Sequence, residues 1–155
     1  MARATRFTGL RRRRADVQKE ALLLQSKWGA NWTVERTTHG FLAIGRVTPD
    51  PLCRQYKVRI QYSGGRPKVD VIEPPLVCRS GATSIPHTYP DGTLCLYHPA
   101  LRDWVPGKAL AHTIVHWISE WLYYNEVWHA VGDWLGGGEH PHSPKSLPEP
   151  DQEDP

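Results

Sequence analysis

Cys95 is the residue best placed by its neighbours to do covalent chemistry. It follows the turn Pro90-Asp91-Gly92, with His87 eight residues before it and His98 three residues after. The thiolate is the reactive form of cysteine, and a nearby imidazolium favours it. A free cysteine is also at home as a small buried apolar residue, and the neighbouring residues leave both roles open for Cys95. Cys53, after a Pro-rich turn, and Cys78, beside Leu76 and Val77, fit the buried apolar role. A Cys-His-Asp hydrolase has its residue types in Cys95, His87, His98 and Asp103, but no protease signature surrounds the cysteine. His112 and His116 stand four apart on a predicted helix, a spacing that suits zinc. Thr113 occupies the place of the general-base Glu of the metalloprotease pattern, and the pair lies on a polar face, so no metal site is expected there. His140 and His142 lie in a Pro-rich stretch and are weaker still as ligands.

Cys95 sits in a segment, 73–106, that contains Pro74, Pro75, Pro86, Pro90, Pro99 and Pro106. Such a segment excludes a helix and leaves only Thr93 to Tyr97 for a short extended piece. Loops longer than about 12–15 residues are uncommon in a compact domain and usually functional. The segment reads as a stiffened loop that presents one thiol, with Asp91 and Gly92 shaping its turn and Trp104 packed beneath it.

The rest of the chain reads as the scaffold. Val17, Ala21, Leu24 and Trp28 form one stripe on a helix from Arg11 to Trp28, closed by Gly29 as C-cap. Strands are predicted at Trp32–Arg36, Gly40–Val47, Gln55–Tyr62 and Val69–Ile72, with Tyr56, Val58, Ile60 and Tyr62 alternating most clearly. Their short connections imply an antiparallel meander. Two helical pieces follow, Gly107–Tyr124 and Glu126–Leu135, the second stopped by Gly136-Gly137-Gly138. The order gives a single α+β domain over residues 1–138, with an acidic, Pro-rich flexible tail over 139–155.

Composition narrows the classes. A chain of 155 residues with 39% hydrophobic content, seven Trp and six Tyr fits one globular domain. No apolar run reaches the roughly 18 residues of a membrane span, and the basic start lacks the apolar core of a secretory signal. Three cysteines without a C-x-x-C pair suit a reducing cytoplasm. The net charge of +3 hides a basic start (Arg3, Arg6, Arg11 to Arg14) and an acidic end (Glu149, Asp151, Glu153, Asp154). Without an aromatic-interleaved RNA motif, the basic run reads as a solvated helix face in preference to a nucleic-acid site.

Residues 85–106 resemble the active site of the ubiquitin-conjugating E2 enzymes, which reads His-Pro-Asn, a Gly-containing turn, Cys-Leu and a later Trp-x-Pro. Here Ile85-Pro86-His87 stands for His-Pro-Asn, Tyr89-Pro90-Asp91-Gly92-Thr93-Leu94-Cys95-Leu96 supplies turn and cysteine, and Trp104-Val105-Pro106 begins nine residues after Cys95. Glu73-Pro74-Pro75 is similar to the proline pair before that loop. The segments 117–124, 126–129 and 134–141 look like the bacterial E2-like proteins of CBASS antiphage operons, encoded beside a cGAS/DncV-like nucleotidyltransferase. The resemblance implies a ubiquitin-conjugating (UBC) fold, with N-terminal helix, four-stranded meander, active-site loop and C-terminal helices. It also implies a Cys95 thioester with the C-terminal tail of that nucleotidyltransferase, a protein partner, with no cofactor. His87, at the position of the family's oxyanion-linked Asn, is expected to donate to an oxyanion or take the thiol proton. His98 is expected either as a helper or as a turn residue. Tyr97 replaces an acidic residue common in E2s, which sets the chain apart from lysine-transferring members. The alternative is a catalytically silent E2 variant that only binds its partner.

Overall fold

The computed structural model describes residues 2–138; the expected tail, 139–155, lies outside the described residues. The chain runs through α1 (Ala2–Trp28), β1 (Trp32–Arg36), β2 (Phe41–Val47), β3 (Tyr56–Tyr62), β4 (Lys68–Glu73) and α2 (Ile114–Val131). Short 3₁₀ turns at Pro99–Leu101 and Leu110–His112 punctuate the long connection between β4 and α2. Among the described residues, no helix is long and apolar enough to cross a membrane.

The four strands form one antiparallel sheet in the order β1-β2-β3-β4, the expected meander. Register follows the period-two pattern: Phe41 faces Tyr62, Ala43 faces Ile60, Gly45 faces Val58 and Val47 faces Tyr56, all buried. A one-residue slip would turn this whole set to solvent, and fully burying one such large side chain contributes roughly 1.5–3 kcal/mol. On the other face, Arg59 and Asp70 sit opposite each other and pair through two bonds, Nε–Oδ1 3.1 Å and Nη2–Oδ2 2.8 Å. Gly45 is required by packing, because its register partner Trp32 lays its buried indole where a Cβ would stand.

Helix α1 begins well before the expected Arg11. The apolar stripe marks only the stretch that meets the core, where Glu20, Ala21 and Leu24 are buried; the earlier turns continue on helix-tolerant residues such as Ala and Arg. Gly29 does not take the left-handed conformation of an αL cap. Asn31 N–H bonds the Trp28 carbonyl at 2.8 Å, and a Cβ on Gly29 would strike the Gln25 carbonyl. The helix docks onto the turn before α2. Glu20 Oε2 accepts from Leu110 N at 2.8 Å, and Trp28 Nε1 donates to the Ala111 carbonyl at 2.8 Å. His112 and His116 belong to this joint: Lys27 Nζ lies 2.8 Å from His112 Nδ1, and Trp28 meets His116 edge-on.

The two expected C-terminal helical pieces are one helix, α2, which starts only at Ile114. Asn125, at the seam between the two pieces, is buried inside it and hydrogen-bonds Tyr56 of β3. The same Tyr56 hydroxyl donates to Glu126 Oε1 at 2.5 Å; burial first, then this bond, pushes its pKa up. The helix ends at Gly132, not at the glycine triplet. Gly132 has φ 94° and its N–H bonds the Trp128 carbonyl at 2.8 Å. Arg79, from the long connection, donates to the His129 carbonyl at 3.4 Å and covers this negative helix end.

Candidate active site

The cysteine loop is a small hairpin pinned to the sheet. Thr88 and Leu94 form a bridge, Gly92 N–H bonds the Tyr89 carbonyl at 2.9 Å, and Leu94 N–H bonds the Val69 carbonyl of β4 at 2.8 Å. Gly92 takes φ 80°, as the turn requires. Asp91 Oδ1 accepts from Thr93 Oγ1 at 2.6 Å and Thr93 N at 3.1 Å, and these bonds hold its carboxyl below the usual range. Asp91 and Gly92 thus shape the turn, as expected.

His87 is the hinge of the site. Its φ is 51°, a left-handed conformation that costs a non-glycine residue on the order of 1–2 kcal/mol. Two donors to one carbonyl hold it there: Cys95 N at 2.8 Å and Trp121 Nε1 of α2 at 3.0 Å. The first fixes Cys95 against His87, and the second fixes both to the helix. The buried His87 ring stacks on Trp134 (centroids 5.0 Å apart, planes 30° apart), and Trp134 in turn rests on Trp121 and Tyr124. Gly138 lies against the same ring, so close that a Cβ there would sit 3.4 Å from His87 Cε1.

These contacts wall a groove of about 360 Å³. Cys95, His87 and His98 all line it, with Asp103, Glu120 and the glycines 136–138 on its rim. The structure therefore brings the three sequence-predicted site residues together, and Cys95 is half-buried there. His98 also starts the Pro99–Leu101 turn: its N–H bonds Asp103 Oδ2 at 3.3 Å and its carbonyl accepts from Leu101 N at 3.1 Å.

A second side of the thiol escaped the sequence reading. The Cys95 Sγ lies 3.6 Å from the Tyr97 carbonyl oxygen and beside the Tyr89 hydroxyl, whose pKa is pushed up to about 12 by burial and by its bond to the cysteine side chain. Arg66 stacks over the Tyr89 ring with Cζ 4.2 Å from the centroid. Nothing in the spacing of Arg66 announces this, since the turn between β3 and β4 delivers it. Tyr97 is wedged between Trp104 and Trp117 at 6.0 and 5.9 Å. Trp104 is buried under the loop as expected, edge-on to Tyr62 of β3, with its Nε1 donating to the Lys108 carbonyl at 3.0 Å.

The other two cysteines stand apart from the groove, and all three are free thiols. Cys53 is half-buried, and burial raises its thiol pKa. Cys78 corrects the expectation of a buried apolar residue: it is exposed, with Sγ 3.3 Å from the Ala82 carbonyl, because the 74–84 stretch crosses the surface. Among the described residues, no three His, Cys, Asp or Glu side chains converge in a way that would hold a metal ion.

An N-terminal helix, a four-strand meander, a cysteine-bearing loop pinned to its last strand and a closing helix together make an α+β domain of the ubiquitin-conjugating kind. The family model for the type II CBASS E2 protein matches residues 20–141, and the chain belongs to that family, E2-like proteins of antiphage defence that act with partners of the CBASS system. A comparison with curated proteins gives no significant match.

Proposed function

We propose that the protein is an E2-like conjugating enzyme in which Cys95 forms a thioester with the C-terminus of a partner, a cGAS-like nucleotidyltransferase. The observation that carries this reading is the groove in which Cys95, His87 and His98 meet beside an open strip of glycines. A protein C-terminus is a thin, extended chain, and a glycine-rimmed groove of this size admits such a chain while excluding a folded surface.

The Cys95 thiolate attacks the carbonyl carbon of an activated acyl group, the C–S bond forms, and the activating group leaves with the electron pair of its bond. A free carboxylic acid does not condense with a thiol unaided, so the acyl group arrives activated by another enzyme. His87 faces the groove as a donor to the developing oxyanion or as the acceptor of the thiol proton. Its packing on Trp134 and its doubly bonded carbonyl preorganise it for either task. His98 and Asp103 also line the groove, where they position the incoming tail.

Intact-mass spectrometry without reductant, on the protein co-expressed with its operon neighbours, the nucleotidyltransferase and the activating enzyme included, tests this. The expected adduct equals the summed masses less water, is cleaved by hydroxylamine and is absent in Cys95→Ala. A loss of two hydrogens in place of water would reveal a disulfide and sink the thioester. Tight co-purification without an adduct, unchanged in Cys95→Ala, would make the protein a binding module.

A further inference from the structure

A second cavity, of about 490 Å³, opens along α1 on the N-terminal side of its joint with α2, where separate elements converge. Arg13 and Arg14 come from α1, Arg36 to Gly40 from the end of β1 and the β1–β2 turn, and Ser63 from the turn after β3. Its volume lies in the range of small-molecule sites, roughly 300–1,000 Å³. Its floor is apolar, with Val17, Ala21 and the buried Phe41. No carboxylate lines it.

The polar part of the lining is rich in unused donors. Among the described residues the ion pairs are Arg54–Glu126, Arg59–Asp70 and Lys68–Asp91, so Arg13, Arg14 and Arg36 carry charge without a carboxylate partner. Thr37 closes the β1–β2 turn: its hydroxyl accepts from Gly40 N at 3.0 Å, and its N–H bonds the Gly40 carbonyl at 2.9 Å. The N–H groups of Thr38 and His39, at the tip of that turn, have no hydrogen bond among the described residues. Arg13 is seated by the backbone. Its side chain lies across Gly64, whose φ of 88° and lack of a Cβ leave the room it occupies. The nearest buried acid, Glu20, spends its carboxylate on Leu110 N–H and does not line the cavity.

We infer that this cavity binds a phosphate-bearing ligand of nucleotide size. Guanidinium groups match phosphate oxygens two at a time, free backbone N–H groups add donors, and the apolar floor accepts the non-phosphate part. Arg11 and Arg12 are on the same helix and also exposed but do not line the cavity, which separates a built site from the general attraction of a basic helix. The site is independent of Cys95 and of the thioester reading.

The test is calorimetric titration of the full chain with ATP, and with pyrophosphate as competitor, at moderate salt. One ATP is expected to bind per chain and to be displaced by pyrophosphate. Arg13→Ala/Arg36→Ala should weaken it about a hundredfold, each guanidinium–phosphate contact being worth on the order of tenfold. Arg11→Ala/Arg12→Ala, with the same change in net charge, should leave it nearly unchanged. Thr38→Glu, which places a carboxylate at the turn tip, should abolish binding by a route that does not remove an arginine. Absence of ATP binding overturns the inference, as does equal weakening in both arginine pairs, which would mean diffuse attraction of the kind that also holds nucleic-acid backbones.

Discussion

Replacing Trp121 by Phe tests whether α2 holds the cysteine loop in its working shape. The indole N–H is one of two donors to the His87 carbonyl, at 3.0 Å, inside the core. Its loss removes a buried hydrogen bond worth about 1 kcal/mol net. The smaller ring leaves a void that costs about another 1 kcal/mol. A total of about 2 kcal/mol lowers the melting temperature of a domain this size by roughly 4–8 °C. The consequence for the site is larger than that figure suggests, because the left-handed His87 then rests on the Cys95 N–H alone. The alkylation rate of Cys95 by iodoacetamide, measured with Cys53 and Cys78 replaced by Ser, should change markedly. Trp128→Phe is the control: Trp128 is as buried as Trp121 but lies near the far end of α2, with its ring against His129. It should reproduce the loss from the void alone, about 1 kcal/mol, with the alkylation rate intact. The reasoning fails if both variants alter the alkylation rate alike, or if Trp121→Phe leaves both stability and reactivity where they were.

Two further changes probe the same framework. At His87, φ 51° favours glycine, so His87→Gly should be more stable than His87→Ala by about 1 kcal/mol in urea melts, although both lose the adduct with the partner; equal stabilities would mean that the loop relaxes and stores no strain. At Glu20, burial raises the carboxyl pKa against the opposing Leu110 N–H. Because the folded value lies above the unfolded one, the stabilisation is fully present below the unfolded value and is lost as pH rises through the folded one. Glu20→Gln keeps an acceptor for Leu110 and cannot ionise, so it should gain on the wild type between about pH 4 and about pH 7. Urea midpoints at both ends measure this, and a gap that is flat or moves the other way would contradict the assignment.

The four strands were legible because a half-buried strand must alternate with period two. β2 and β3 each start one residue later than expected, and β4 extends one residue further at each end. Helices were less so. The start of α1 carries no apolar stripe, and the polar Asn125 interrupts the apolar spacing of α2, although Tyr56, far away in sequence, meets it in the core. Gly136-Gly137-Gly138 has the look of a helix stop, yet Gly132 ends the helix and the triplet instead rims the groove.

From the sequence alone came the candidate nucleophile, its turn, its two histidines and the order of elements, since those depend on residue types and spacings that act locally. Only the folded chain decided what surrounds the thiol. Arg66 and Tyr89 on one side, and Trp121 and Trp134 on the other, arrive from four different stretches of chain. The left-handed turn at His87, which joins these sides, is held by the Cys95 N–H from within the loop and by the Trp121 indole from α2.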